Sequence, residues 1–204
     1  MSFQFVIDNA SSISINRKQV VASTTARDGT VRNVGRGGNT WRFEVTLPNG
    51  PRWSDYRNDI SKLEDLGRTT EGTFSFNNSG HSWLVGYQGN SVNYTGFVAS
   101  WTQGQTSITL TSSPTTSSGY KFKAGDFIQL GASGKVYTVA EDVAYNSNSV
   151  KVHRPILDST GSGTLRVAEN CVWTVYCSQF PEWDIFARDQ VGWSGSFIFE
   201  EKLV

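Results

Sequence analysis

Trp41, Phe43, Val45 and Leu47 alternate with Arg42, Glu44 and Thr46. Period-two alternation puts one set of side chains on a buried face and the other in water, so this stretch is a half-buried β-strand. Shorter versions recur. Ile13 and Ile15 alternate with Ser12, Ser14 and Asn16. Val172, Thr174 and Tyr176 alternate with Trp173, Val175 and Cys177, and Phe197 and Phe199 with Ser196, Ile198 and Glu200. Phe3, Phe5 and Ile7, set between Gln4, Val6 and Asp8, read as a first strand. Composition agrees: 25 Ser, 19 Thr and 20 Gly with 13% aromatic residues is β-protein usage and excludes a helical bundle. Helical period occurs once. Trp53, Tyr56, Ile60, Leu63 and Leu66 are spaced by three and four, which makes one apolar stripe. Ser54 is placed to cap this helix, Asp55 and Asp59 suit the positive end of its dipole, and Gly67 marks its stop.

The texture changes after residue 82. Residues 83–170 carry many short strand candidates (83–88, 94–101, 106–111, 126–130, 135–140, 149–153 and 164–168), with Gly-rich turns between them. Phe127, Ile128 and Leu130 form a strand, Gly131 to Gly134 a hairpin turn, and Val136, Tyr137 and Val139 the return. Five or so short strands of this kind suit a small OB-like or SH3-like barrel. After residue 170 the aromatic-rich texture returns. The expected fold is therefore mainly β: a β-sandwich domain with one helix, from residues 1–82 and 171–204, interrupted by a barrel at 83–170. Charge does not separate the two, since the insert holds 6 basic and 5 acidic residues and the remainder 12 and 13.

Several function classes are excluded or disfavoured. Lys+Arg equals Asp+Glu at 18 each, which argues against a general nucleic-acid binder. No apolar run is long enough to cross a membrane as a helix, and the first residues lack the pattern of a secretory signal. Cys171 and Cys177 lie six apart in one predicted strand, about 20 Å along an extended chain, too far to bridge. They read as buried thiols of a protein made in a reducing cytoplasm. His81 and His153 have no ligand-spaced partners, so no metal or other cofactor is expected. Gly131 to Lys135 lacks the first Gly and the hydroxyl residue of a phosphate loop. Asp126, Glu141, Asp142 and Asp158 sit at turns and strand ends, where solvated carboxylates belong, and no catalytic residue is assigned.

Two surface candidates remain. Residues 27–39 hold Arg27, Arg32 and Arg36 among glycines, with Arg17, Lys18 and Arg42 nearby; this basic loop or hairpin tip suits docking on an acidic neighbour. Trp83, Tyr87 and Trp101, with Tyr94, flank the start of the insert. They are either barrel core or a sugar-contacting face.

The chain resembles the distal tail protein family of long-tailed bacteriophages. The resemblance is carried by Met1-Ser2-Phe3-Gln4-Phe5, Leu63-Glu64-Asp65-Leu66-Gly67 and Gly72-Thr73-Phe74. It continues through Lys123-Ala124-Gly125-Asp126-Phe127-Ile128-Gln129-Leu130, Val136-Tyr137-Thr138-Val139 and Pro155-Ile156-Leu157, and closes on residues 192–203. These pieces follow the family's order and spacing over essentially the whole chain.

The resemblance implies a non-enzymatic virion protein of the tail tip, synthesised in the host bacterial cytoplasm. Six copies would form a ring, with the tail tube protein on one face and the baseplate hub or tip protein on the other. The inserted barrel would point outward. DNA would pass the lumen without specific binding, and no membrane is involved. Arg27, Arg32, Arg36, Phe197 and Phe199 are the expected contact residues of such a ring. The competing expectation is a carbohydrate-binding accessory domain that grips host polysaccharide through Trp83, Tyr87 or Trp101.

Overall fold

A computed structural model of the chain describes residues 2–18, 21–25, 27, 31–35, 39–66, 70–77, 79–114 and 118–203; for Lys18 and residues 21–25 and 31–35 it describes the backbone. The strands are β1 (Ser12–Lys18), β2 (Val21–Thr25), β3 (Val31–Gly35), β4 (Thr40–Thr46), β5 (Glu71–Ser75), β6 (Val98–Trp101), β7 (Ser107–Ser112), β8 (Tyr120–Phe122), β9 (Phe127–Leu130), β10 (Val136–Thr138), β11 (Val143–Ala144), β12 (Ser149–Lys151), β13 (Gly161–Val167), β14 (Val172–Gln179), β15 (Glu182–Phe186), β16 (Gln190–Ser194) and β17 (Phe197–Glu201). The helices are α1 (Gln4–Asp8) and α2 (Trp53–Leu66), with 3-10 turns at Ser82–Val85 and Ala168–Asn170. The fold is mainly β. It divides into unit one, chiefly residues 1–9 and 71–175, and unit two, chiefly residues 10–70 and 176–202. In this grouping α1, β5 and the start of β14 go with the middle segment.

Unit one is built on a six-stranded antiparallel sheet in the order β10-β9-β13-β6-β7-β12. Its two ends meet. Val139 bridges Val152, Ala140 N–H donates to the Lys151 carbonyl (2.8 Å), and His153 N–H donates to the Thr138 carbonyl (3.0 Å). The sheet thus curls into a half-barrel whose end strands are tied together at this one point, which shields part of their edges. Period-two pairs fill the interior: Phe97 and Ala99, Ile108 and Leu110, Ile128 and Leu130, Tyr137 and Val139, Val150 and Val152, Leu165 and Val167. Each large aliphatic side chain among them contributes about 1.5–3 kcal/mol by leaving water. Two polar groups serve the closure. Thr138 N–H donates to His153 Nδ1 at 2.9 Å, which leaves the neutral ring's proton on Nε2. The Tyr137 hydroxyl donates to Asp158 Oδ2 (2.7 Å) and accepts from Leu157 N–H (2.9 Å).

The first residues form a helical turn, not the expected strand. The run Phe3-Gln4-Phe5-Val6-Ile7 fits either period; the structure buries Phe3, Val6 and Ile7, the helical choice. Tertiary bonds decide it. Ser2 bridges Thr73 in parallel, and Phe3 N–H donates to the Thr73 carbonyl at 2.9 Å. The Phe3 ring lies where a Cβ on Gly72 would be, 2.5 Å from Cε2. Gln4 then completes the edge of β5 with its side chain: Nε2 donates to the Ser75 carbonyl (2.9 Å), and Oε1 accepts from Ser75 N–H (3.0 Å). A strand edge left open would invite pairing with another chain. The predicted strand at 83–88 is likewise absent; it begins with the 3-10 turn that buries Val85.

In unit two β4 lies between β1 and β17, antiparallel to both. Its inward residues Trp41, Phe43 and Val45 are buried, as the alternation requires. β15 and β16 form a hairpin that seats α2: Trp53 stacks on Trp183 with ring centroids 5.0 Å apart, and Trp183 Nε1–H donates to Glu64 Oε1 at 2.9 Å. Ser54 is not the cap of α2. The Asp189 carbonyl accepts Trp53 N–H (3.0 Å), and its carboxylate accepts Ser54 N–H (3.1 Å) and the Ser54 hydroxyl (3.2 Å). Asp189 holds φ at +61°, a conformation Asn also tolerates. Asp189→Ala is expected to lower stability by about 1 kcal/mol and the Tm by about 2–4 °C, with Asp189→Asn restoring most of it. Calorimetry on the three proteins checks this, and an unchanged Tm for Asp189→Ala would refute the cap.

Candidate functional site

The β1–β4 ladder runs from Ser12 opposite Thr46 to Lys18 opposite Thr40. It is followed by the β2–β3 ladder, from Val21 opposite Gly35 to Thr25 opposite Val31. Among the described residues β2 and β3 pair only with each other, and β1 has a strand on one side alone. Each arm strand has five residues, about 17 Å at the usual rise. The result is a separate two-stranded arm, which lies in sequence between β1 and β4. Residues 31–35 are therefore strand, not loop; two of the five, Val31 and Val34, are β-branched and favour it.

The basic candidates fall on or beside this arm. Arg27 is exposed in the turn between its strands. Arg32 lies opposite Thr24 in β3; its side chain, and all of Arg36, lie outside the described residues. Gly29, Gly37 and Gly38 lie outside them too, as does Gly67 after α2. Arg17 sets its guanidinium 5.9 Å from the Trp41 ring centroid. Arg42 lies between Asn16 and Glu200 in register.

Phe197 and Phe199 are not surface residues. They are 1% and 0% exposed, stand opposite Val45 and Phe43, and pack on each other at 6.0 Å; Phe197 also meets Phe180 and Trp193. β17 has apolar residues on both faces, so its alternation alone does not say which face is inside. The less buried members are Ile198 and Glu200.

The aromatic candidates divide. Tyr87 stacks on Tyr94 at 4.9 Å, meets Phe122 edge-on, and donates its hydroxyl to the Lys121 carbonyl. Trp101 packs against the barrel core and donates Nε1–H to the Ser159 carbonyl at 2.9 Å. Trp83 alone is open, at 72% exposure. No ring contact joins the three among the described residues, so they form no common platform.

The carboxylates of the barrel are occupied by loop closure. Asp126 accepts Gln88 N–H and Lys123 N–H, both at 2.8 Å, and burial pushes its carboxyl up against those donors. Asp142 accepts Ala124 N–H (2.9 Å), Asp158 accepts Lys135 N–H and the Tyr137 hydroxyl, and Glu141 pairs with Lys151. Lys121 is buried and donates to the Ser147 carbonyl and Asn148 Oδ1, both at 2.8 Å, with its ammonium pushed down by burial. Cys171 and Cys177 are buried free thiols, and burial pushes the Cys171 thiol up, away from reactivity. Among the described residues no three His, Cys, Asp or Glu are grouped to hold a metal, and no helix is long and apolar enough to cross a membrane.

Sequence reasoning missed Gln129. It is 2% exposed, and its side-chain amide bonds both backbone groups of Val172: Nε2 donates to the carbonyl and Oε1 accepts from N–H, each at 2.9 Å. Nε2 also donates to the Gly134 carbonyl at 2.7 Å. Its only trace in sequence was a polar residue between Ile128 and Leu130. No protein-family model matches this chain, and no curated protein matches it.

Proposed function

We propose that this chain is a structural subunit of a phage tail tip that assembles with five copies of itself into a ring between tail tube and baseplate hub. The observation that carries the reading is the two-stranded arm β2–β3, whose strands pair only with each other among the described residues, next in sequence to β1, the end strand of its sheet. A two-stranded ribbon alone is marginal in water, and its edges are templates for another chain. A closed cyclic assembly supplies such a cover to every copy and leaves no open end. The basic residues of the arm suit an acidic neighbour, and the barrel's carboxylates are tied into loops. The resemblance of the sequence to the distal tail protein family supplies the copy number and the neighbours.

Light scattering over a range of concentrations tests it. The expected mass is about 135 kDa for six copies of the 22.5-kDa chain, and Arg27→Ala with Arg32→Ala lowers the fraction assembled. A protein that stays monomeric alone and also when mixed with tail tube and hub proteins would overturn the reading. Polysaccharide binding lost on Trp83→Ala would favour the accessory-domain alternative, which rests on that one open ring.

A further inference from the structure

In unit one β6 pairs with β13 as far as Val98 opposite Thr164, and Leu165 N–H donates to the Phe97 carbonyl at 2.9 Å. Just before this, the chain turns at Gly96, whose N–H meets the Asn93 carbonyl. A groove of about 430 Å³ opens there, along the last residues of β13. That volume is in the range of small-molecule sites. Ser75, Asn77, Thr95, Thr164 and Asn170 are among its lining residues, and Arg166 is the one charged residue there. The Thr95 hydroxyl donates to Asn93 Oδ1 at 2.6 Å and Asn170 Nδ2 to the Val167 carbonyl at 3.4 Å, which leaves their other lone pairs and N–H for a ligand. Leu165 and Val167 belong to the barrel core, so Arg166 between them faces outward. Among the described residues its guanidinium has no hydrogen bond and no ion pair. The neighbouring Glu169 is engaged elsewhere, accepting the Tyr94 hydroxyl.

We propose that this groove binds an acidic saccharide, with its carboxylate on Arg166 and its hydroxyls on the Ser, Thr and Asn side chains. A guanidinium is a planar fork that matches a carboxylate with two parallel hydrogen bonds. Hydroxyl and amide side chains both donate and accept, as the hydroxyls of a sugar do. No aromatic residue lines the groove, so recognition is polar, and the site is separate from Trp83. The proposal stands apart from the ring reading and holds or fails without it.

Calorimetric titration of the full chain with glucuronate, glucose and acetate tests it. Glucuronate is expected to saturate in the millimolar range, with glucose and acetate each at least about tenfold weaker, since each lacks one half of the match. Arg166→Gln is expected to lose about tenfold for glucuronate and nothing for glucose, and Arg166→Lys to fall between. Arg188→Gln, an exposed arginine of unit two, serves as the control and leaves affinity unchanged. Glucose binding as tightly as glucuronate, an unaffected Arg166→Gln variant, or no saturation by tens of millimolar glucuronate would each overturn the proposal. So would an Arg166→Gln variant that changes only the assembled mass, which would give the groove to a protein contact.

Discussion

Gln129→Glu is expected to cost about 3–5 kcal/mol at pH 7, although it exchanges one NH2 for one oxygen. The wild-type amide donates to two carbonyls, those of Gly134 and Val172, and accepts Val172 N–H. A carboxylate would set an oxygen against both carbonyls in a site that is 2% exposed. The new side chain escapes by staying protonated, which restores one donor of the two. Its folded pKa therefore lies above the unfolded value near 4.3, and its stability is retained below that value and lost as pH rises through the folded pKa. Urea unfolding of variant and wild type at pH 4 and pH 7 gives the readout. The deficit is expected to be larger at pH 7. A deficit below about 1 kcal/mol at pH 7 would show that the amide is not holding the start of β14.

Gly134→Ala is expected to destabilise by about 3 kcal/mol or more, because the added methyl lands on backbone. Its Cβ would sit 2.1 Å from the Leu130 carbonyl oxygen and 3.2 Å from Asp158 Oδ1. Relief requires opening the β9–β10 hairpin at Val136 opposite Gln129, and with it the Gln129 bond to Gly134. Gly104→Ala is the comparison. Gly104 holds φ at +82° with open space around it, so only the left-handed conformation is penalised, at about 1–2 kcal/mol. Equal losses for the two variants would refute the steric account.

What the sequence made legible was whatever depends on near neighbours. The alternation at Trp41 to Leu47 places β4 correctly, and the stripe through Ile60, Leu63 and Leu66 is the buried face of α2. The turn at Gly131 to Gly134 joins β9 to β10 as expected. What escaped depends on distant partners. The cap of α2 comes from Asp189, 135 positions after Ser54. Phe3 to Ile7 fits two periods, and Thr73 and Ser75 choose between them. Phe197 and Phe199 are contact residues only in the ring that the resemblance implies; within the chain they face inward, opposite Val45 and Phe43 of β4. Of the three aromatic candidates, only packing separates Trp83 from Tyr87 and Trp101.

The amide of Gln4 on Ser75 also has a meaning in time. The two residues are 71 positions apart. At about 5–20 residues per second, the ribosome delivers Ser75 roughly 4–14 s after Gln4. Until then the opening segment has no strand edge to rest on, and Phe3, Val6 and Ile7 have no cover. A five-residue helix has no independent stability. Residues 3–7 are thus made well before the strand that covers them, and their apolar side chains stay sticky until β5 follows.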